Sequence, residues 1–108
     1  MQDIAIFPDN GIWCKGNLHA HTQNSDGKLS PDEVVAKYKG LGHDFISLTD
    51  HRKYICNAHL NSKDFVVIPG FEVDLTPPGK NMCHHIVAVR GKISDKNYDD
   101  GYAFASPE

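Results

Sequence analysis

Ser30-Pro31-Asp32-Glu33-Val34-Val35-Ala36-Lys37-Tyr38-Lys39-Gly40-Leu41-Gly42 leads directly into His43-Asp44-Phe45-Ile46-Ser47-Leu48-Thr49-Asp50-His51, and this stretch decides the fold class. Its first four residues place a hydroxyl at the N-cap, proline at the first helical position, acids in the first turn and Glu at the third position, which is a capping box. Val34, Val35, Tyr38 and Leu41 recur at helical spacing and form one apolar face, while Gly40 and Gly42 let the chain leave the helix. The pattern predicts a helix over residues 31–41. Phe45 to Thr49 is a short run of strand formers that ends in the polar pair Asp50-His51. Upstream, Trp13 to His21 reads as a strand closed by the turn-rich Gln23-Asn24-Ser25-Asp26-Gly27. Strand, helix and strand form one crossover unit, so the two strands should be parallel.

Downstream, a polar stretch over 52–63 has room for a short helix, and Phe65-Val66-Val67-Ile68 reads as a strand buried on both faces and terminated by Pro69-Gly70. Phe71-Glu72-Val73 can extend as a further strand, Thr76 to Lys80 is a Pro/Gly loop, His85 to Val89 is another apolar strand, and no strong pattern follows Gly91. The alternation predicts an α/β architecture, in which reactive groups collect beyond the C-terminal ends of parallel strands. His19, His21, Asp26, His51 and Glu72 all fall at or just past such ends.

The chain has 108 residues, 40% hydrophobic and 23% charged, which suits one small soluble domain. A net charge of -3 gives no basic field for a polyanion, so nucleic acid is not the expected partner. Met1-Gln2-Asp3-Ile4 lacks the features of a secretory signal, and no run approaches the ~18 apolar residues of a membrane span, so a cytoplasmic protein without a membrane partner is expected. Cys14, Cys56 and Cys83 are odd in number and widely spaced, and read as reduced thiols.

Seven histidines in so short a chain are the unusual feature. Residues two apart on a strand share a face, so His19 and His21 can direct both imidazoles at one ion while Ala20 packs the other way. Spacing alone leaves a chelating pair and two unrelated histidines about equally open. Asp26, in a glycine-containing loop, and His51, at the end of the next strand, bring further donors to the same mouth, and Glu72 could bridge two cations with its two oxygens. Cys83 reads as a buried or idle thiol with a zinc ligand as the alternative, His43 and His59 as surface residues, and Arg52 and Lys53 as solvated cations with a phosphate contact as the alternative.

Leu18-His19-Ala20-His21-Thr22 with Ser25-Asp26-Gly27, then Thr49-Asp50-His51, then Pro69-Gly70-Phe71-Glu72 and His85-Ile86-Val87, together resemble the polymerase-and-histidinol-phosphatase (PHP) family in the right order from about Lys15 to Val89. Trp13-Cys14-Lys15-Gly16-Asn17-Leu18-His19 also resembles the branch with carbaryl-hydrolase-like enzymes. The resemblance implies the N-terminal portion of a distorted seven-stranded β/α, TIM-like barrel holding two or three divalent cations, manganese, zinc or iron. His19, His21 and Glu72 would hold the first metal, Glu72 and His85 the second, Asp26 and His51 the third, with Glu72 and His51 also the expected catalytic residues. Asp50 would orient a metal-bound imidazole from behind, and His85 rather than His84 would face the cluster. The family's later His and Asp-x-His ligands have no counterpart after His85, so 1–108 is expected to be a single truncated domain that lacks its C-terminal remainder. The implied activity is hydrolysis of a small phosphate monoester or nucleotide. A carboxylic or carbamate ester hydrolase on the same cluster and a noncatalytic metal-binding fragment are the alternatives.

Overall fold

The computed structural model describes residues 6–7, 9–89 and 96–97. Strand β1 (Gly16–Ala20) is followed by helix α1 (Pro31–Gly40) and strand β2 (Phe45–Leu48), and then by β3 (Lys53–Tyr54), a 3-10 turn (Ala58–Leu60), β4 (Val66–Leu75), β5 (His84–Val89) and β6 (Lys96–Asn97). The main sheet has the order β1-β2-β4-β5. Its first three strands are parallel, with Asn17 opposite Ile46 and Ile46 opposite Val67, and β5 runs antiparallel to β4. β3 and β6 pair antiparallel as a separate ribbon. The result is a mixed α/β unit with a curled, half-barrel sheet.

The helix forms where its caps demand it. Ser30 Oγ accepts from the Glu33 N–H at 3.3 Å and Glu33 Oε2 accepts from the Ser30 N–H at 2.8 Å, so both arms of the capping box are made. Val34 and Val35 bury against Ile46, Leu48, Phe65 and Val67, with Ala20, Leu29, Tyr38 and Leu60 at the edge of this core. Leu41 departs from the expected apolar face. It is the C-cap, 58% exposed, because the helix ends at Gly40 and the chain turns through Gly42 at φ 74°.

Two other expectations are corrected, and the short helix expected within 52–63 is present as a 3-10 turn. The first strand begins at Gly16, not Trp13, whose ring is exposed, and His21 lies just beyond its end. The 52–63 stretch gives one 3-10 turn and the two-residue β3, and β6 shows regular pairing after Gly91, although the remainder of that tail lies outside the described residues. Pro69-Gly70 does not end a strand. β4 continues through it because Pro69 is the last residue paired with β2, opposite Leu48, and Gly70 is the first paired with β5, opposite Val89. A residue without an N–H is tolerated where one ladder stops and the next begins. Glycine is required beside it: a Cβ on Gly70 would lie 2.7 Å from both the Ala88 carbonyl and Ser47 Oγ.

The turn leaving β2 carries Arg52 in the left-handed region, at φ 58°. Its N–H donates to the Glu72 carbonyl at 2.9 Å, and its guanidinium grips Asp74 through Nε (2.8 Å to Oδ1) and Nη2. This hydrogen-bonded cation holds the Asp74 carboxyl at about 2, well below the ordinary carboxylate range.

Gly70→Ala should destabilise the chain by about 1–3 kcal/mol, as overpacking against rigid backbone does, measured by denaturant unfolding. A carboxyl whose pKa is lower in the folded state adds stability above its unfolded value and loses it as pH falls through the folded one. Asp74→Asn should therefore flatten the decline in unfolding free energy between pH ~4 and pH ~2, by on the order of 1 kcal/mol for a pair this exposed. An unchanged acid limb would show that the ion pair contributes nothing.

Candidate metal centre

Beyond the end of β1, the chain folds back on itself around a buried carboxylate. Asp50, 2% exposed, accepts from the Thr22 N–H (2.7 Å), Thr22 Oγ1 (2.8 Å) and Ser25 Oγ (2.7 Å). The Ser25 and Gly27 N–H groups close the loop onto the Thr22 carbonyl, and a Cβ on Gly27 would sit 2.6 Å from the His21 carbonyl oxygen. The tight loop delivers Asp26 to His21. Asp50 therefore anchors the loop and makes no hydrogen bond with an imidazole among the described residues, which corrects its expected place behind a metal-binding histidine. The side chain behind His19 is Thr49, with Oγ1 2.7 Å from His19 Nδ1. Sequence reading missed it, although alternation already puts Thr49 and His51 on one face.

Glu72 reaches the site from the middle of β4, three residues past the end of the parallel ladder, rather than from a strand end. Its N–H donates to the Asp50 carbonyl at 3.2 Å and a parallel bridge pairs it with His51, which fixes both residues at the same height. The carboxylate is 3% exposed and four imidazoles face it. Oε1 lies 2.8 Å from His85 Nδ1 and 3.8 Å from His19 Nε2, and Oε2 lies 2.8 Å from His21 Nε2 and 3.5 Å from His51 Nδ1. Asp26 adds Oδ1 at 2.6 Å from His21 Nδ1 and Oδ2 at 3.5 Å from His51 Nε2. The hydrogen bond with His21, helped by the charge His21 and His51 can carry, lowers the Asp26 carboxyl below its usual value.

These contacts form three overlapping donor groups, His19/His21/Glu72, His21/Asp26/His51 and His51/Glu72/His85, each with its donor atoms within 4.8 Å of one another. The donor set fits divalent cations. His21 Nε2 is buried and makes no hydrogen bond among the described residues, despite lying so close to Glu72 Oε2. Such facing nitrogen and oxygen donors suit a cation, and the mixed imidazole and carboxylate set suits zinc, manganese or iron. A neutral imidazole has one lone pair, so His21 can serve only one of its two groups. With Nε2 as the donor, Nδ1–H points at Asp26 Oδ1 and leaves Oδ2 for the group containing His51.

All six expected ligands, His19, His21, Asp26, His51, Glu72 and His85, are thus brought together, and His84 belongs to none of the groups. Cys83 is exposed rather than buried and lines the open cavity of about 400 Å³ in front of the cluster without joining a donor group. Arg52 and Lys53 line the same cavity. Arg52 is ion-paired with Asp74 and Lys53 Nζ donates to the Asn24 carbonyl at 2.7 Å, so neither is merely solvated. His59 lies on the 3-10 turn, and His43 packs edge-on to Tyr38 with ring centroids 4.9 Å apart, away from the cluster.

Known proteins resemble this chain in sequence. The chain is 31% identical to uncharacterized protein MJ1295 of Methanocaldococcus jannaschii over 98 residues, covering 70% of this chain and 45% of that protein. It is 29% identical to the DNA polymerase/3'-5' exonuclease PolX of Bacillus subtilis over 83 residues, covering 60% of this chain and 15% of PolX. The chain thus spans less than half the length of these curated relatives. The PHP domain family model matches residues 17–102, a span that takes in the whole donor cluster. With most of its length covered by that match, the chain belongs to the PHP domain family, a family of metal-dependent hydrolases.

Proposed function

We propose that this chain is the metal-binding part of a phosphoesterase acting on a small phosphate monoester or nucleotide. The observation that carries the reading is the buried Glu72 carboxylate faced by four imidazoles, beside an open cavity lined by Arg52 and Lys53. His19, His21 and Glu72 would hold a first cation, Glu72 and His85 a second, and Asp26 and His51 a third. Divalent cations bound there would supply a water of lowered pKa and neutralise charge on phosphoryl oxygens. Glu72, whose two oxygens reach two donor groups, and His51, which stands between Glu72 and Asp26, are the residues on which catalysis would depend. Arg52 and Lys53 stand where a substrate phosphate would enter.

The same reading takes residues 1–108 as the N-terminal portion of one distorted seven-stranded β/α barrel domain that works in the cytoplasm with further ligands from a C-terminal remainder. The net charge of -3 favours a small substrate over a polynucleotide track. No helix among the described residues is long and apolar enough to cross a membrane.

After reconstitution with manganese or zinc, elemental analysis should find near-stoichiometric metal in the chain and at least 10-fold less in a His19→Ala/His21→Ala double variant. Phosphate release from aryl phosphates by the longer protein should drop by two orders of magnitude or more in Glu72→Ala. Turnover of aryl carboxylic or carbamate esters in preference to aryl phosphates would select the ester hydrolase instead, and metal binding without any turnover would select a noncatalytic metal-binding role.

A further inference from the structure

Thr49 is fully buried, at 0% exposure, and cannot meet a substrate in the cavity. Its hydroxyl is nonetheless the most connected side-chain atom behind the cluster. Oγ1 lies 2.7 Å from His19 Nδ1, 3.2 Å from the Ala20 N–H and 3.4 Å from the Ala20 carbonyl oxygen. We infer that Thr49 is a positioning residue that holds His19 in the tautomer protonated at Nδ1, so that the Nε2 lone pair faces Glu72 and the first cation. The inference rests on the metal-binding reading of His19 above.

The argument is a proton count. A hydroxyl carries one proton and two lone pairs. The backbone N–H of Ala20 can only donate, so it takes one lone pair of Oγ1. One proton and one lone pair remain for two neighbours, the Ala20 carbonyl, which can only accept, and His19 Nδ1, which can do either. If Oγ1 donates to the carbonyl and accepts from Nδ1–H, all three contacts are satisfied at once. If Oγ1 donates to Nδ1 instead, the second lone pair of Oγ1 faces the carbonyl lone pairs, and the imidazole proton moves to Nε2. There it would point at Glu72 Oε1 from 3.8 Å, too far for a hydrogen bond. The first arrangement uses every neighbour and leaves Nε2 as the donor atom. Which ring nitrogen carries the proton is generally set by the bond the other nitrogen makes.

Thr49 is held for this task from both sides. The Thr49 N–H donates to the Ala20 carbonyl at 2.8 Å, carrying the β1–β2 pairing one step beyond the strands, and the Cγ2 methyl packs where the bare Gly70 leaves room, 2.9 Å from the position its Cβ would take. Shape and hydrogen bonding can be separated by mutation. Valine keeps the branched shape and loses the hydroxyl, whereas serine keeps the hydroxyl and loses the methyl.

The test is long-range 15N-1H correlation of the histidine rings in the metal-free chain, together with zinc titration of wild type, Thr49→Val, Thr49→Ser and His19→Ala. Wild type should show His19 protonated at Nδ1, with Nε2 unprotonated. Thr49→Val should lose that preference and bind zinc about 10-fold more weakly, in the range of outer-shell substitutions, and Thr49→Ser should restore both. An Nε2-protonated His19 in wild type, an unchanged tautomer in a folded Thr49→Val, or a serine variant that behaves like valine would each overturn the inference. Should the valine variant not fold, the wild-type tautomer and the serine variant still decide it. His19→Ala with wild-type zinc affinity would instead overturn the metal-binding reading and leave the tautomer observation standing.

Discussion

Removing a carboxylate from water costs several kcal/mol unless charge and hydrogen bonds compensate, and Glu72 meets that cost in the middle of a strand. Four imidazoles face its two oxygens. They come from the end of β1, the turn after β2 and the start of β5, so the groups that offset one buried charge also tie together three of the strands around it. Neutral imidazoles offer lone pairs as readily as protons, and lone pairs converging on a carboxylate call for cations. The buried, unsatisfied Nε2 of His21 marks the place where that demand is most acute.

The surrounding structure supplies the placement. Asp50 spends its carboxylate on the 22–25 loop, which makes that loop rigid enough to hold Asp26 against His21. Thr49 stands behind His19, and Arg52 spans from the β2 turn to Asp74 on β4. The triplet Thr49-Asp50-His51 therefore sends three consecutive side chains to three tasks: behind a ring, under a loop and into the cluster. The helical side of the sheet contributes the apolar core, and the C-terminal ends of the parallel strands contribute the donor groups.

Much of this was legible in the sequence where the signal is local. The capping box at Ser30 to Glu33 depends on four neighbouring residues, and the helix begins where they place it. The six candidate ligands could be gathered from strand ends and linked motifs, because strand topology converts sequence order into spatial proximity. What escaped was tertiary. Nothing near Pro69 announces that its strand changes neighbours there, so in sequence a strand breaker reads as a terminator. Asp50 and Thr49 are adjacent; alternation puts Thr49 on the face of His51, but a carboxylate is the commoner partner of a metal-bound imidazole, and here the hydroxyl has the contact. The two-residue strands β3 and β6 are too short for any periodicity to show.

The double allegiance of β4, parallel to β2 in its first half and antiparallel to β5 in its second, means that Glu72 sits where two independently set registers must agree. Sliding β4 by one residue against β2 would turn the carboxylate to the opposite face and offer Phe71 or Val73 to His19, His21 and His51 in its place, and sliding β5 against β4 would turn His85 away. Such a misassembled sheet would strand a charge among apolar groups and leave its histidines without a counterpart. The cluster thus acts as a checksum on strand alignment, and the same residues that form the donor groups penalise the nearest wrong way of folding the chain.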